Sequence, residues 1–181
     1  MSRSSAKEAI LDAAEAVVSE QGAVHLTLDA VAQRAEVSKG GLLYHFPSKE
    51  ALLQSMLMRL CDRFDERRAG VGRGVEGGLG PFVQAAFDHM RDQRRVSAAI
   101  LAAVANDPRL LDPIRERRAE EMKRLGGSVR EIARGLVVML AVDGLWYSEM
   151  LEMMNLSEEM RRAVLAELME LVERAEEEFE R

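Results

Sequence analysis

TLDAVAQRAEVSKGGLLYHFPSKEALL, residues 27–53, places three helix-start residues, Thr27, Ser38 and Ser48, in quick succession. Each carries a hydroxyl able to accept a hydrogen bond from an orphan amide of a first helical turn. Asp29 suits the first turn after Thr27 electrostatically, and Leu28, Val31, Ala32 and Ala35 recur with helical spacing. A short helix is therefore expected over about 28–35. Glu36-Val37-Ser38 reads as a tight turn, and the helix it leads into is barely two turns long. That helix is weakened at its beginning by Gly40 and Gly41 and ended by Pro47. From Ser48 a long helix carries Leu52, Leu53, Met56, Leu60 and Phe64 on one side.

The flanking sequence extends the same pattern. Upstream, Ile10, Ala13, Ala14, Val17 and Val18 form the apolar stripe of a first helix over about 4–21, closed by Gly22. Downstream, GVGRGVEGGLG, residues 70–80, has six glycines in eleven positions and reads as a loop. Its Gly72-x-Gly74-x-x-Gly77 spacing matches a dinucleotide-binding turn, but it follows the charged helix end DRFDERRA instead of a strand, and so reads as a linker. Pro81 opens a helix expected to reach about residue 92, and VSAAILAAVA, residues 96–105, reads as another. Asp107-Pro108 and Asp112-Pro113 mark two further starts, the second leading into a charged helix to Leu125 before Gly126-Gly127. A long helix over 130–154 follows, then Asn155 and Ser157, then a last helix to about 179 with Val164, Leu165, Leu168, Leu171, Val172 and Ala175 as its stripe. The fold class is all-α.

Composition sets the outer bounds. Of 181 residues, 48% are apolar and 31% charged, an ordinary globular balance. The formal charge of −6 does not advertise nucleic acid, although a basic face can sit within an acidic whole. Cys61 is the only cysteine, so no internal disulfide forms and a cytoplasmic setting is expected. The N-terminal MSRSSAKEAILDAAEA has no signal-type apolar segment, and the longest apolar run, Leu136 to Val142, is too short to span a membrane. His25, His45 and His89 show no metal-ligand spacing, so neither metal nor cofactor is expected.

Three short helices with a tight turn between the second and third make a helix-turn-helix unit. In that geometry the later helix enters the major groove of DNA while the earlier one crosses the backbone. A groove about 12 Å wide suits a rod of about nine residues. Glycines at the start of that rod remove side chains where it must approach phosphates and base edges. Residues 1–50 nevertheless hold five Lys/Arg against seven Asp/Glu, so Glu8, Asp12, Glu15 and Glu20 must point mostly away from DNA.

With these residues in place, residues 27–53 resemble the DNA-binding signature of TetR-type (TetR/AcrR) transcriptional regulators. In such proteins a threonine opens the second helix, and a glycine-containing start, a Tyr-His pair, a Phe and a capped Lys-Glu follow. The resemblance covers about the first 55 residues. It implies a helix-turn-helix domain over 1–50 and a helical effector-binding and dimerisation domain over 51–181. It also implies a homodimer on a palindromic double-stranded operator, usually as a ligand-responsive repressor, with a small-molecule effector of unknown identity and no membrane association. Phosphate contacts are implied for Thr27, Ser38, Lys39, Tyr44 and Lys49, and positions at or near the groove for Gly40, Gly41 and His45. Leu43 is expected to pack inward and Leu42 to face a thymine methyl.

For the C-terminal helices the effector-pocket candidates are Phe87, His89, Met90, Met139, Asp143, Trp146, Tyr147 and Met150. The dimer-interface candidates are Met153, Met160, Val164, Leu168 and Leu171. Asp143 also reads as a helix–helix hydrogen-bonding group, with Gly144 permitting close approach, and Trp146, Tyr147 and Met150 also read as core or interface. Two rival functions are a helical interaction protein with a degenerate DNA-binding head, and an enzyme using the C-terminal cavity. No Ser-His-Asp, paired-carboxylate or metal arrangement supports the second, so no catalytic residue is expected.

Overall fold

The computed structural model describes residues 3–71, 79–124 and 129–177, and among them there is no strand. Among these described residues eight α-helices run in order: α1 Arg3–Gln21, α2 Leu28–Arg34, α3 Lys39–His45, α4 Lys49–Val71, α5 Leu79–Asn106, α6 Asp112–Arg124, α7 Val129–Met150 and α8 Glu158–Glu177. Single 3-10 turns cover Ala23–His25 and Pro108–Leu111.

Local chemistry accounts for most boundaries. Thr27 Oγ1 accepts from the Ala30 amide at 3.1 Å, Ser38 Oγ from Gly41 at 3.0 Å, and Ser48 Oγ from Ala51 at 3.2 Å. The turn between α2 and α3 is a Schellman closure: the Val37 amide donates to the Ala32 carbonyl at 3.0 Å and the Glu36 amide to Gln33 at 3.2 Å. Glu36 takes the left-handed conformation this closure requires, at φ 55°, a position glycine fills more easily. The same device ends α7. There Met153 donates to the Ser148 carbonyl at 2.8 Å and Glu152 sits at φ 58°; Ser157 then caps α8.

Two expectations are corrected. Residues 79–106 form one helix in place of two, because the charged run RDQRR at 91–95 holds no glycine or proline to break it. The expected loop over 70–80 does not hold at its ends, since Gly70 and Val71 finish α4 and Leu79 and Gly80 begin α5; residues 72–78 lie outside the described residues. The Gly126-Gly127 break likewise lies outside them.

The chain divides into two compact units, Met1–Cys61 with Arg94–Arg118, and Asp62–Gln93 with Ala119–Arg181. The first has its own core, in which Ile10, Ala14 and Val17 of α1, Val31 of α2 and Leu52 and Met56 of α4 are almost wholly buried. Val96 and Ile100 of α5 and Leu110 complete it. About fifty residues make too little core to be comfortable alone, which explains the recruitment of later helices. In the second unit, Val83 and Phe87 of α5 meet Val138, Val142 and Leu145 of α7 and Leu168 and Val172 of α8. Arg161 of α8 donates to Glu149 of α7 at 2.8 Å in a mostly buried ion pair.

Leu42 and Phe46 of the first unit's core decide the orientation of α3: they are 0% and 1% exposed, whereas Leu43 is 37% exposed. The expected orientations are therefore corrected: Leu42 packs inward and Leu43 faces outward. Leu42 stands one helical turn before Phe46, so an inward Phe46 carries Leu42 inward with it. We predict that Leu42→Ala costs about 2–5 kcal/mol of stability in a urea melt. Leu43→Ala changes stability by no more than about 0.5 kcal/mol; equal losses would refute this orientation.

Candidate nucleic-acid interface

The inner face of α3 leaves its other side to solvent. Lys39, Gly40, Leu43 and Tyr44 are exposed, Tyr44 at 64%, and His45 is half-buried. The Tyr44 ring meets the His45 ring edge-on at 5.2 Å, and His45 lies 6.5 Å from the buried Phe46 ring. This aromatic series runs from core to surface and fixes the direction in which Tyr44 projects. The two glycines differ in what surrounds them. A Cβ at Gly41 would stand 3.3 Å from Ser38 Oγ, the hydroxyl that caps the helix, so Gly41 serves the cap. A Cβ at Gly40 would meet nothing closer than that hydroxyl at 4.0 Å, so no internal contact demands glycine there.

The neighbouring helix starts bring more polar groups to this unit's surface. Thr27 and Ser38 are both exposed and hold their caps through side-chain oxygens. Lys49 is the exposed first residue of α4, behind the Ser48 cap. Glu50 has a carboxyl held below its ordinary value by hydrogen bonds from its own amide and from the Ser48 hydroxyl. Of the nine residues expected at DNA, Leu42 alone is buried and cannot touch a base; the other eight are exposed or half-buried on α3 or at the caps beside it.

Five of the seven acidic residues of the head are paired with cations. Arg59 of α4 hydrogen-bonds Asp12 and lies 3.6 Å from carboxylate oxygens of both Glu8 and Glu15, gathering the acids of α1. Arg34 of α2 forms a two-pronged contact with Glu20, at 2.5 and 2.7 Å, and the guanidinium holds the Glu20 carboxyl below its ordinary value. Lys39 Nζ lies 2.8 Å from Asp29 Oδ1 and 3.0 Å from Oδ2. Sequence reading anticipated none of these three arrangements, since each joins two different helices and leaves no periodic trace along the chain.

The C-terminal candidates fall on different faces. Phe87 is buried in the second unit's core, and Met150 is buried as well. Met139, Asp143, Trp146 and Met150 follow one another at helical spacing along α7, the first three half-buried, while Tyr147 stands on the next stripe and is exposed. The side chains of His89 and Met90 lie outside the described residues. Among the dimer candidates Met153, Met160 and Leu171 are exposed, Val164 is half-buried, and Leu168 is buried in its own unit's core. Leu168 therefore supports the surface from beneath. Val137, Leu140 and Leu151, not among the expected residues, are exposed too and continue the Tyr147 stripe.

With the geometry established, comparison with known proteins decides the family. Residues 10–56 match the bacterial regulatory proteins of the tetR family, and residues 79–173, more than half of the chain, match the tetracyclin repressor-like C-terminal domain. The chain belongs to the TetR family. Its regulator BetI from Burkholderia cenocepacia is 31% identical over 153 residues, 76% of this chain and 78% of that protein. The repressor KstR from Rhodococcus jostii is 44% identical over 61 residues, and the regulator RutR from Escherichia coli is 46% identical over 59. These two matches span only 29% and 28% of those proteins. Among solved structures, a transcriptional regulator from Rhodococcus sp. Rha1 superposes with a TM-score of 0.68 at 23% identity, over 92% of this chain and 95% of that one. The multidrug binding protein EbrR, solved with imidazole, gives 0.64 at 22%, over 90% and 93%. As a member of a family of regulatory proteins, the chain is not an enzyme. Among the described residues, no helix is long and apolar enough to cross a membrane.

Proposed function

We propose that this TetR-family chain is a cytoplasmic, ligand-responsive transcriptional repressor that binds a palindromic operator as a homodimer. In this reading residues 1–50 are the reading head and residues 51–181 carry effector binding and dimerisation. The observation that carries it is α3 itself, fastened by Leu42 and Phe46 so that Lys39, Gly40 and Tyr44 are exposed and His45 half-buried on its outer side. Thr27, Ser38, Lys39, Tyr44 and Lys49 supply phosphate contacts that fix register, and the groove-facing side of α3 reads base edges. Leu43, the exposed leucine, takes the place at the thymine methyl expected of Leu42.

Dimerisation is supported by the second apolar face of α7. Val138, Val142 and Leu145 bury one side of that helix, yet Val137, Leu140, Tyr147 and Leu151 form an exposed stripe on another. Met160 and Leu171 of α8 are exposed as well. A helix apolar on two faces is stable in water when a partner covers the second. Two copies joined through these helices hold two reading heads related by a two-fold axis, which sets half-sites one helical turn apart or a multiple of it. An effector among Met139, Asp143 and Trp146 releases DNA by favouring a conformation in which the two heads no longer match those half-sites.

Two variants test the two parts. Gly40→Ala gains helix propensity, so stability rises by up to about 1 kcal/mol. Affinity for a duplex selected from genomic fragments falls about tenfold, as one or two positioning contacts are lost. Unchanged affinity in fluorescence anisotropy would remove α3 from the interface. Leu140→Asp places a charge on a residue 67% exposed in the single chain, so the fold is kept. Light scattering should then find a monomer where the wild type is a dimer; a variant that stays dimeric would exclude the α7 stripe from the interface.

A further inference from the structure

The ion pair between Asp29 and Lys39 joins two residues that face the same DNA surface with opposite consequences. Lys39 is the first residue of α3 and Asp29 lies in the first turn of α2. Both oxygens of the carboxylate share the ammonium, at 2.8 and 3.0 Å, as two phosphate oxygens would. The side chains are 59% and 71% exposed, so the pair is made in water and is easily exchanged. Of the head's described cations, Arg34 is occupied by Glu20 and Lys39 by Asp29, whereas Lys7 and Lys49 have no ion-pair partner among the described residues.

We infer that Asp29 is a built-in competitor of the DNA backbone for Lys39, and that it sets how strongly the head binds duplex of any sequence. The inference rests on the DNA-reading assignment above. For Lys39 to reach a phosphate, its contact with Asp29 must break, and a carboxylate is then left beside the polyanion. Both effects oppose binding. The attraction of the head to arbitrary DNA comes from phosphate contacts, so this opposition falls on the sequence-independent part of the affinity. Added salt weakens the internal pair as well as the phosphate contact, so Lys39 contributes less to the salt dependence of binding than an unpaired lysine would. A head with more acidic than basic residues thereby keeps weak general adhesion, and base-edge contacts by α3 carry proportionately more of the discrimination.

The test is a double-mutant cycle on the full chain. Binding of an unrelated duplex of about two helical turns is followed by fluorescence anisotropy across a salt series. Asp29→Asn removes the charge while keeping the shape, and should tighten binding about two- to fivefold beyond any gain from relieved repulsion, the range of an exposed ion pair. The plot of log affinity against log salt should steepen by up to about 0.9. Lys39→Ala separates the two contributions. If Asp29 holds Lys39, the gain from Asp29→Asn shrinks in the Lys39→Ala background. An equal gain in both backgrounds, or no gain in the wild-type background, overturns the inference while leaving the DNA-reading assignment standing. Wild-type protein that binds no duplex with salt-dependent affinity overturns both.

Discussion

Two apolar side chains spaced one turn apart, Leu42 and Phe46, hold the short helix α3 in place. Helix α3 has seven residues, far fewer than an isolated helix needs to persist in water, and two of them are glycines. What makes it a helix is Leu42 and Phe46 in the core and the Ser38 hydroxyl at its start. Once those are fixed, the helical repeat leaves no choice about which residues face outward. Lys39, Gly40, Leu43 and Tyr44 are presented to solvent because Leu42 and Phe46 are not. The core that receives these anchors is itself shared, since α4 and α5 supply Leu52, Met56, Val96 and Ile100 to it. Helices α4, α5 and α6 each contribute residues to both units.

Electrostatics in the head is a matter of pairing and placement more than of totals. Seven acidic residues among the first fifty would discourage any thought of DNA if charge were averaged. Three of them are drawn to the single Arg59, one to Arg34 and one to Lys39. Glu8, Asp12, Glu15 and Glu20 of α1 are thus engaged by arginines of α4 and α2. Among these pairs only that of Asp29 engages a cation expected at DNA.

The sequence made the capping residues legible because a cap is a local device: Thr27, Ser38 and Ser48 each act within their own first turn. The tight turn at Glu36 was legible for the same reason. The choice between Leu42 and Leu43 was harder, since adjacent positions in so short a helix differ by only about 100° and no long periodic run exists to average over. The inward Phe46 was the deciding clue, through its position one turn after Leu42. Charge runs misled in α5, where RDQRR looked like an interruption but offers no backbone reason to stop. In the C-terminal helices the same apolar residue types serve core, cavity and interface. Only the buried or exposed state of Leu168, Met150 and Leu140 separates those uses, and that is a property of packing. Pairings such as Asp29 with Lys39 leave no mark in a linear reading because they depend on how two helices cross.

The central claim is that α3 meets DNA with its outer side while Leu42 and Phe46 stay in the core. Amide and methyl correlation spectra of the isotope-labelled chain, recorded with and without a short duplex selected from genomic DNA, test it directly. The account predicts the largest shifts at residues 27–30, 38–45 and 48–50, with the Leu42 methyls and Phe46 ring keeping the environment they have in the free protein. Shifts confined to other surfaces, or a Leu42 side chain that leaves the core when DNA binds, would contradict it.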